Sequence, residues 1–193
     1  MHQIIERLGR AMAVLGGLVL GSLIILTCLS VAGRVLNTIL HGKIGALAPG
    51  VSQYLLDLGV GPILGDFELV EAGVAFAIFA FIPLCQVTAG HASVDVLTKV
   101  FPRIVNRFLQ MIIDIAFAIA LILIAWKLYD GMLSKQRYGE TTFLLQFPIW
   151  WSYAASLFAA VIGAIAGVYM AAARCYEFFW NRSVVRSRDG AEQ

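Results

Sequence analysis

The sequence predicts an all-α integral membrane protein with four transmembrane helices and both termini in the cytoplasm. Three observations lead there. Hydrophobic residues make up 60% of the chain and charged residues only 13%, against roughly 25% charged in an ordinary soluble domain. With a mean hydropathy of +0.84, the chain cannot cover a water-facing surface. Its charges are also segregated, leaving long uncharged windows. Finally, the basic residues fall mainly on one side of the resulting topology.

The first window, 11–33, contains 23 residues between Arg10 and Arg34 without a charge. At about 1.5 Å per residue it crosses a hydrocarbon core of about 30 Å. Arg7 and Arg10 precede it as they would a signal peptide. The apolar run exceeds the roughly 7–15 residues of a signal core, and no small-residue cleavage site follows. A retained helix is therefore expected. The second span, about 70–92, uses the 23 residues between Glu71 and Asp95, interrupted only by His91. Pro83 inside it is expected to kink it. The third, about 106–130, is strongly apolar ("FLQMIIDIAFAIALILIAWKLY") but carries Asp114, for which a headgroup position and a protein-facing one are both open. The fourth, about 148–173, lies within the charge-free run from Thr141 to Ala173.

An even number of spans puts the N-terminus, the loop after the second span and the C-terminus on one side. That side holds nine of the Lys and Arg residues, among them Lys99, Arg103, Arg107 and Arg174, against five on the other. The bias makes it cytoplasmic. Trp150, Trp151 and Tyr153 are placed as interfacial aromatics should be. Between the first two spans, residues 35–70 form a long connection broken by Gly and Pro, in which "VSQYLLDLGV" suits a short interfacial helix. Residues 130–148 are shorter and more polar, and 181–193 read as a solvated tail. The whole chain reads as one membrane domain, without repeats.

Span association in lipid relies on close contact between small residues. The fourth span has Ala155, Ala159, Gly163, Gly167 and Ala171 every four residues, with Ser152, Ser156, Ala160 and Ala164 beside them. The first has Gly9, Ala13, Gly17 and Gly21, and the second Gly73, Ala77 and Ala80. Such ridges serve packing within the chain or docking to another membrane protein, and the pattern alone does not choose. The third span is bulkier and suits lipid or a larger partner.

Little in the chain suggests chemistry. His91 and Asp95 share a helix face at i and i+4, but a metal needs three or four ligands and a proton relay needs ionisable groups deep in the bilayer. No nucleophile, phosphate-binding or dinucleotide-binding motif occurs. The three cysteines have no C-x-x-C spacing and read as small apolar residues. A net charge of +2 does not point to nucleic acid. No cofactor, metal or catalytic residue is expected. The chain reads as an accessory subunit, the alternative being the membrane anchor of a redox enzyme.

Three stretches resemble a known family. "GRVL" ends the first span with Arg34. The block from Glu68 to Gln110 has an acidic entry at Glu71, then H-x-x-V-D at His91 and Asp95, then Phe-Pro before the basic residues Arg103 and Arg107. "FPIWWSYAASLFAAVIG" enters the last span through Trp150 and Tyr153. Together with the four-span topology they resemble the small, DctQ-like membrane subunit of tripartite ATP-independent periplasmic (TRAP) transporters. The resemblance implies a non-catalytic scaffold in a bacterial inner membrane. Its implied partners are a large multi-span subunit that carries sodium and an organic anion such as a carboxylate, a periplasmic binding protein, and membrane lipids. It makes Arg34, Glu71, His91, Asp95, Arg103, Arg107, Asp114, Trp150 and Tyr153 candidates for subunit or lipid contact. The small-residue spacing, independently of the resemblance, makes Gly17, Gly21, Ala155, Ala159, Gly163 and Gly167 the helix-packing ridge. The 35–70 connection is longer than a minimal member of the family needs.

Overall fold

The computed structural model describes residues 2–42, 50, 53–54, 61, 63–88 and 103–180. Four helices are formed: α1 (His2–His41), α2 (Asp66–Val87), α3 (Arg103–Tyr138) and α4 (Trp150–Trp180). All four are long and apolar enough to cross a membrane. No strand occurs among the described residues, only an isolated antiparallel bridge between Thr141 and Pro148. Of the connection between α1 and α2, Gly50, Gln53 and Tyr54 are described and helical. The rest of the expected interfacial helix lies outside the described residues.

Three helices run past their expected ends, α4 reaching Trp180 where about 173 is expected. α1 continues through 34–41, where Thr38 Oγ1 donates to the Arg34 carbonyl and His41 Nδ1 lies 3.0 Å from the Asn37 carbonyl. α3 continues to Tyr138 through residues whose polarity suggests a loop. An exposed Lys127–Asp130 pair stands at the expected end. A helix satisfies its own backbone, so leaving the apolar layer gives it no reason to stop.

The helices pack in the order α1, α2, α4, α3, with a lesser contact between α1 and α4. α4 is the more buried of the two inner members. Its apolar window is 56% buried, against 11% for those of α1 and of α3. The sequence explains this. On α4, Ala159, Ala160, Gly163, Ala164, Ala166 and Gly167 are all buried, so neighbours approach it from two directions.

The ridge of α4 does not face a single partner. A Cβ placed on Gly163 would lie 3.4 Å from Ile82 of α2, whereas one on Gly167 would lie 3.2 Å from Leu121 and 3.5 Å from Ala118 of α3. Ala155 is exposed. At 3.6 residues per turn, each four-residue step rotates by about 40° around the helix, so the ridge winds from one neighbour to the next.

The same drift separates the four-residue ridge of α1 from its seam with α2. Nothing lies within 4 Å of a Cβ built on Gly17 or Gly21, so these two do not carry its packing within the chain. A stripe of buried and half-buried residues instead runs through Gly9, Met12, Gly16, Val19, Leu23, Leu26, Ser30, Gly33, Asn37 and Leu40. This alternation of three and four is the 3.5-residue repeat of left-handed helix pairs. Gly9 and Gly16 set the distance: their Cβ positions would lie 3.2 Å from the Leu84 backbone nitrogen and 2.9 Å from Ala80 Cβ. The helical assignment of α2 continues through Pro83, which is fully buried between Gly9 on one side and Gly163 on the other.

Gly16→Ala should therefore force α1 and α2 apart and cost about 1–3 kcal/mol. Gly17→Ala should be neutral or stabilising by up to about 1 kcal/mol through helix propensity. Thermal unfolding of the isolated chain in detergent separates the two, and equal effects would show that this seam is misassigned. Gly163→Ala should be tolerated, because its Cβ makes ordinary contacts. Gly163→Leu should lower the melting temperature by prying α4 from α2.

Candidate subunit-interaction surface

The bundle has two ends. One gathers the C-terminus of α1, the start of α2, the end of α3 and the start of α4. The other gathers the opposite termini. Charged side chains fasten both.

At the first end Arg34 Nη2 donates to both carboxylate oxygens of Asp66, at 3.1 and 3.0 Å. Asp66 is buried, while the Arg34 side chain remains 58% exposed. The same carboxylate accepts from the Phe67 N–H at 2.8 Å, and Ser30 of α1 sits beside it. An acidic residue in the first turn also complements the positive helix N-terminus. Gly65 enters this turn at φ 80°. A side chain there would be strained and would strike Leu145 at 2.5 Å.

Residues 139–149 fold into a small hairpin against the same turn. Thr142 N donates to the Phe147 carbonyl and Ile149 N to that of Glu140, each at 3.0 Å. At the tip, Glu68 accepts from the backbone N–H groups of Leu144 and Leu145, at 2.7 and 2.9 Å, one per carboxylate oxygen. This turns two amides that the hairpin leaves unpaired toward a negative charge. Lys135 Nζ closes the base on Glu140 at 2.6 Å. The tip itself is apolar and exposed, with Phe143 at 87%.

At the second end Arg174 of α4 reaches Asp114 of α3 through Nε at 3.3 Å and Glu177 through Nη1 at 3.1 Å. The three side chains are only 13–17% exposed. Asp114 thus faces protein, which resolves its two possible placements.

The other expected residues distribute unevenly. Tyr153 packs inward, with its ring 2.8 Å from a Cβ built on Gly131 of α3. Trp150 stacks edge-on to Trp151, with ring centroids 5.9 Å apart. Glu71 is exposed one turn beyond Asp66, and no hydrogen bond or ion pair holds it among the described residues. Arg103 and Arg107 belong to α3, but their side chains lie outside the described residues, as do His91 and Asp95 entirely. Sequence reading missed Asp66, Glu68, Arg174 and Glu177. Asp66 and Glu68 did carry a signal: two carboxylates directly after a Gly-Pro-rich stretch, where a helix N-terminus favours them.

A four-helix membrane row of this kind, entered through Asp66 and Trp150, is matched by one family model. The model of the DctQ component of tripartite ATP-independent periplasmic transporters covers residues 23–175. The chain belongs to the DctQ family. Family membership makes it a small TRAP component, and separates it from the redox-anchor alternative. The match begins inside α1 and ends just after Arg174, so it takes in the Arg34–Asp66 and Arg174–Asp114 pairs, with Glu177 two residues beyond it. No curated protein and no solved structure matches the chain significantly.

Glu68→Gln should release the hairpin tip while leaving the helices in place. Amide exchange at Leu144 and Leu145 should accelerate about tenfold or more, read by hydrogen–deuterium exchange. Unchanged protection would mean that the hairpin is held by its own bonds alone. Arg174→Leu should destabilise the chain more than Asp114→Asn, by a few kcal/mol. The first leaves Asp114 and Glu177 without the cation between them, and the second removes one charge. Melting temperatures in the reverse order would refute that assignment.

Proposed function

We propose that this chain is the non-catalytic small membrane subunit of a sodium-coupled, binding-protein-dependent TRAP transporter for organic anions of the carboxylate class. In this reading it lies in a bacterial inner membrane with both termini cytoplasmic, so the hairpin end faces the periplasm. Its work is mechanical. It widens the fixed scaffold against which a large multi-span subunit moves, and its hairpin end helps to receive the periplasmic binding protein.

The observation that carries this reading is the contrast between α4 and its outer neighbours. The interior of the row is closed by alanine and glycine, while α1 and α3 keep most of their apolar windows uncovered. Such a row offers broad faces to lipid and to a second membrane protein. Asp66, Glu68, Asp114 and Glu177 are engaged in clasps at its two ends, which suits a part that stays rigid. The hairpin supports the docking role: it is tied at its base and tip, yet it presents Phe143 and Leu144 outward.

Gentle-detergent purification from the native membrane, followed by mass spectrometry, should recover a stoichiometric large multi-span protein. The isolated chain in liposomes should transport nothing. Recovery of the chain alone, or transport by it alone, would overturn the scaffold reading. Phe143→Asp should weaken capture of the purified binding protein by the assembled membrane complex without loss of the large subunit. Unaltered capture would move the docking site elsewhere.

A further inference from the structure

A cavity of about 300 Å³ lies between α2 and α3, floored by α4. Glu68 and Glu71 both line it. Their situations differ: Glu68 spends its two oxygens on the hairpin amides, whereas Glu71 has no partner among the described residues. Opposite, Ser156 also lines the cavity. It is only 2% exposed, and its buried Oγ has no hydrogen-bond partner among the described residues. Ser152 and Tyr153 add hydroxyl-bearing side chains nearby, and Phe79 and Leu128 give the wall an apolar character.

We propose that this cavity receives a lysine or arginine side chain carried on a transmembrane helix of the large subunit. The inference rests on the subunit reading above and names one of its contacts. The sign of the charge excludes an anion. A carboxylate at this depth is costly without a counter-ion, and the nearby cation Lys135 is already held by Glu140. An apolar wall with an acidic and hydroxylic patch suits a long aliphatic stem that ends in a charge. The volume far exceeds what a bare ion would fill. Thr142, Phe147 and Ile149 of the hairpin segment also line it. Ser156 lies six residues beyond Trp150, about 9 Å deeper along α4. A helix-borne side chain reaches that depth, whereas a lipid ammonium stays at the headgroup level.

The test uses the native complex. A photoreactive phenylalanine analogue at Leu128 should crosslink to the large subunit, on a peptide with a Lys or Arg within one helical turn. Glu71→Gln should lower recovery of the large subunit by about tenfold or more, while its own helical circular dichroism and elution stay unchanged. Glu71→Lys should abolish recovery, and converting the crosslinked Lys or Arg to Glu should restore it. Crosslinks confined to lipid, or full recovery of the large subunit with Glu71→Gln, would overturn the inference and leave the subunit reading standing. A wild-type chain that recovers no multi-span partner would overturn both.

Discussion

The structure depends on how closely α2 is held between α1 and α4. At the level of residues 80–84, α2 has Gly9 and Gly16 against one side and Gly163 against the other. In lipid there is little hydrophobic gain from bringing apolar helices together, so dispersion over closely opposed backbones does much of the holding. That contact tolerates no added methyl at Gly16 and makes Pro83 useful. A residue with no N–H, and with its ring buried, presents a compact shape at the place where two neighbours converge, and no donor is left to satisfy. The order of the row follows. The two helices that meet neighbours on two sides through small residues, α2 and α4, become the inner pair, and α1 and α3 go to the outside.

Packing of this kind fixes distance better than axial register. The charged clasps add register. Arg34–Asp66 sets α1 against α2 at one end, and Arg174 sets α3 against α4 at the other. Glu68 ties α2 to the hairpin that joins α3 to α4, so the two pairs are linked through backbone amides as well as through the seam. Ion pairs in water contribute little, but at a membrane boundary a charge with a wrong partner is costly, which makes the clasps selective. Glu71 stands apart from this scheme: it is exposed, and no ion pair holds it among the described residues.

The helices were legible because charge-free windows of this length seldom occur outside membrane spans. Their extents were not, because the ends of α1, α3 and α4 are governed by helix-forming residues outside the apolar layer. The ridges were half legible. Counting by fours found the right residue types on α4, yet on α1 it led to Gly17 and Gly21, about 80° and 120° around the helix from Gly9. The alternation of three and four, beginning at Gly9, marks the buried stripe. Asp114 was visible as an anomaly, but its partner is 60 residues away and nothing local in the sequence joins them. Glu68 was visible as a helix-entry carboxylate but its bonds were not: its partners are main-chain amides, which leave no trace in residue identities.

The inward turn of Asp114 has a consequence for the bilayer itself. Read as a window, the uncharged part of α3 runs only from Ile115 to Trp126, about 18 Å, too short for the hydrocarbon layer. Read as a surface, it is longer. With Asp114 turned toward Arg174, the lipid side of α3 passes through Ile104, Phe108, Ile112, Ile119 and Trp126, all exposed. That stretch is about 33 Å long and matches an unperturbed membrane. The clasp therefore relieves α3 of hydrophobic mismatch, and the surrounding lipid has no need to thin beside it.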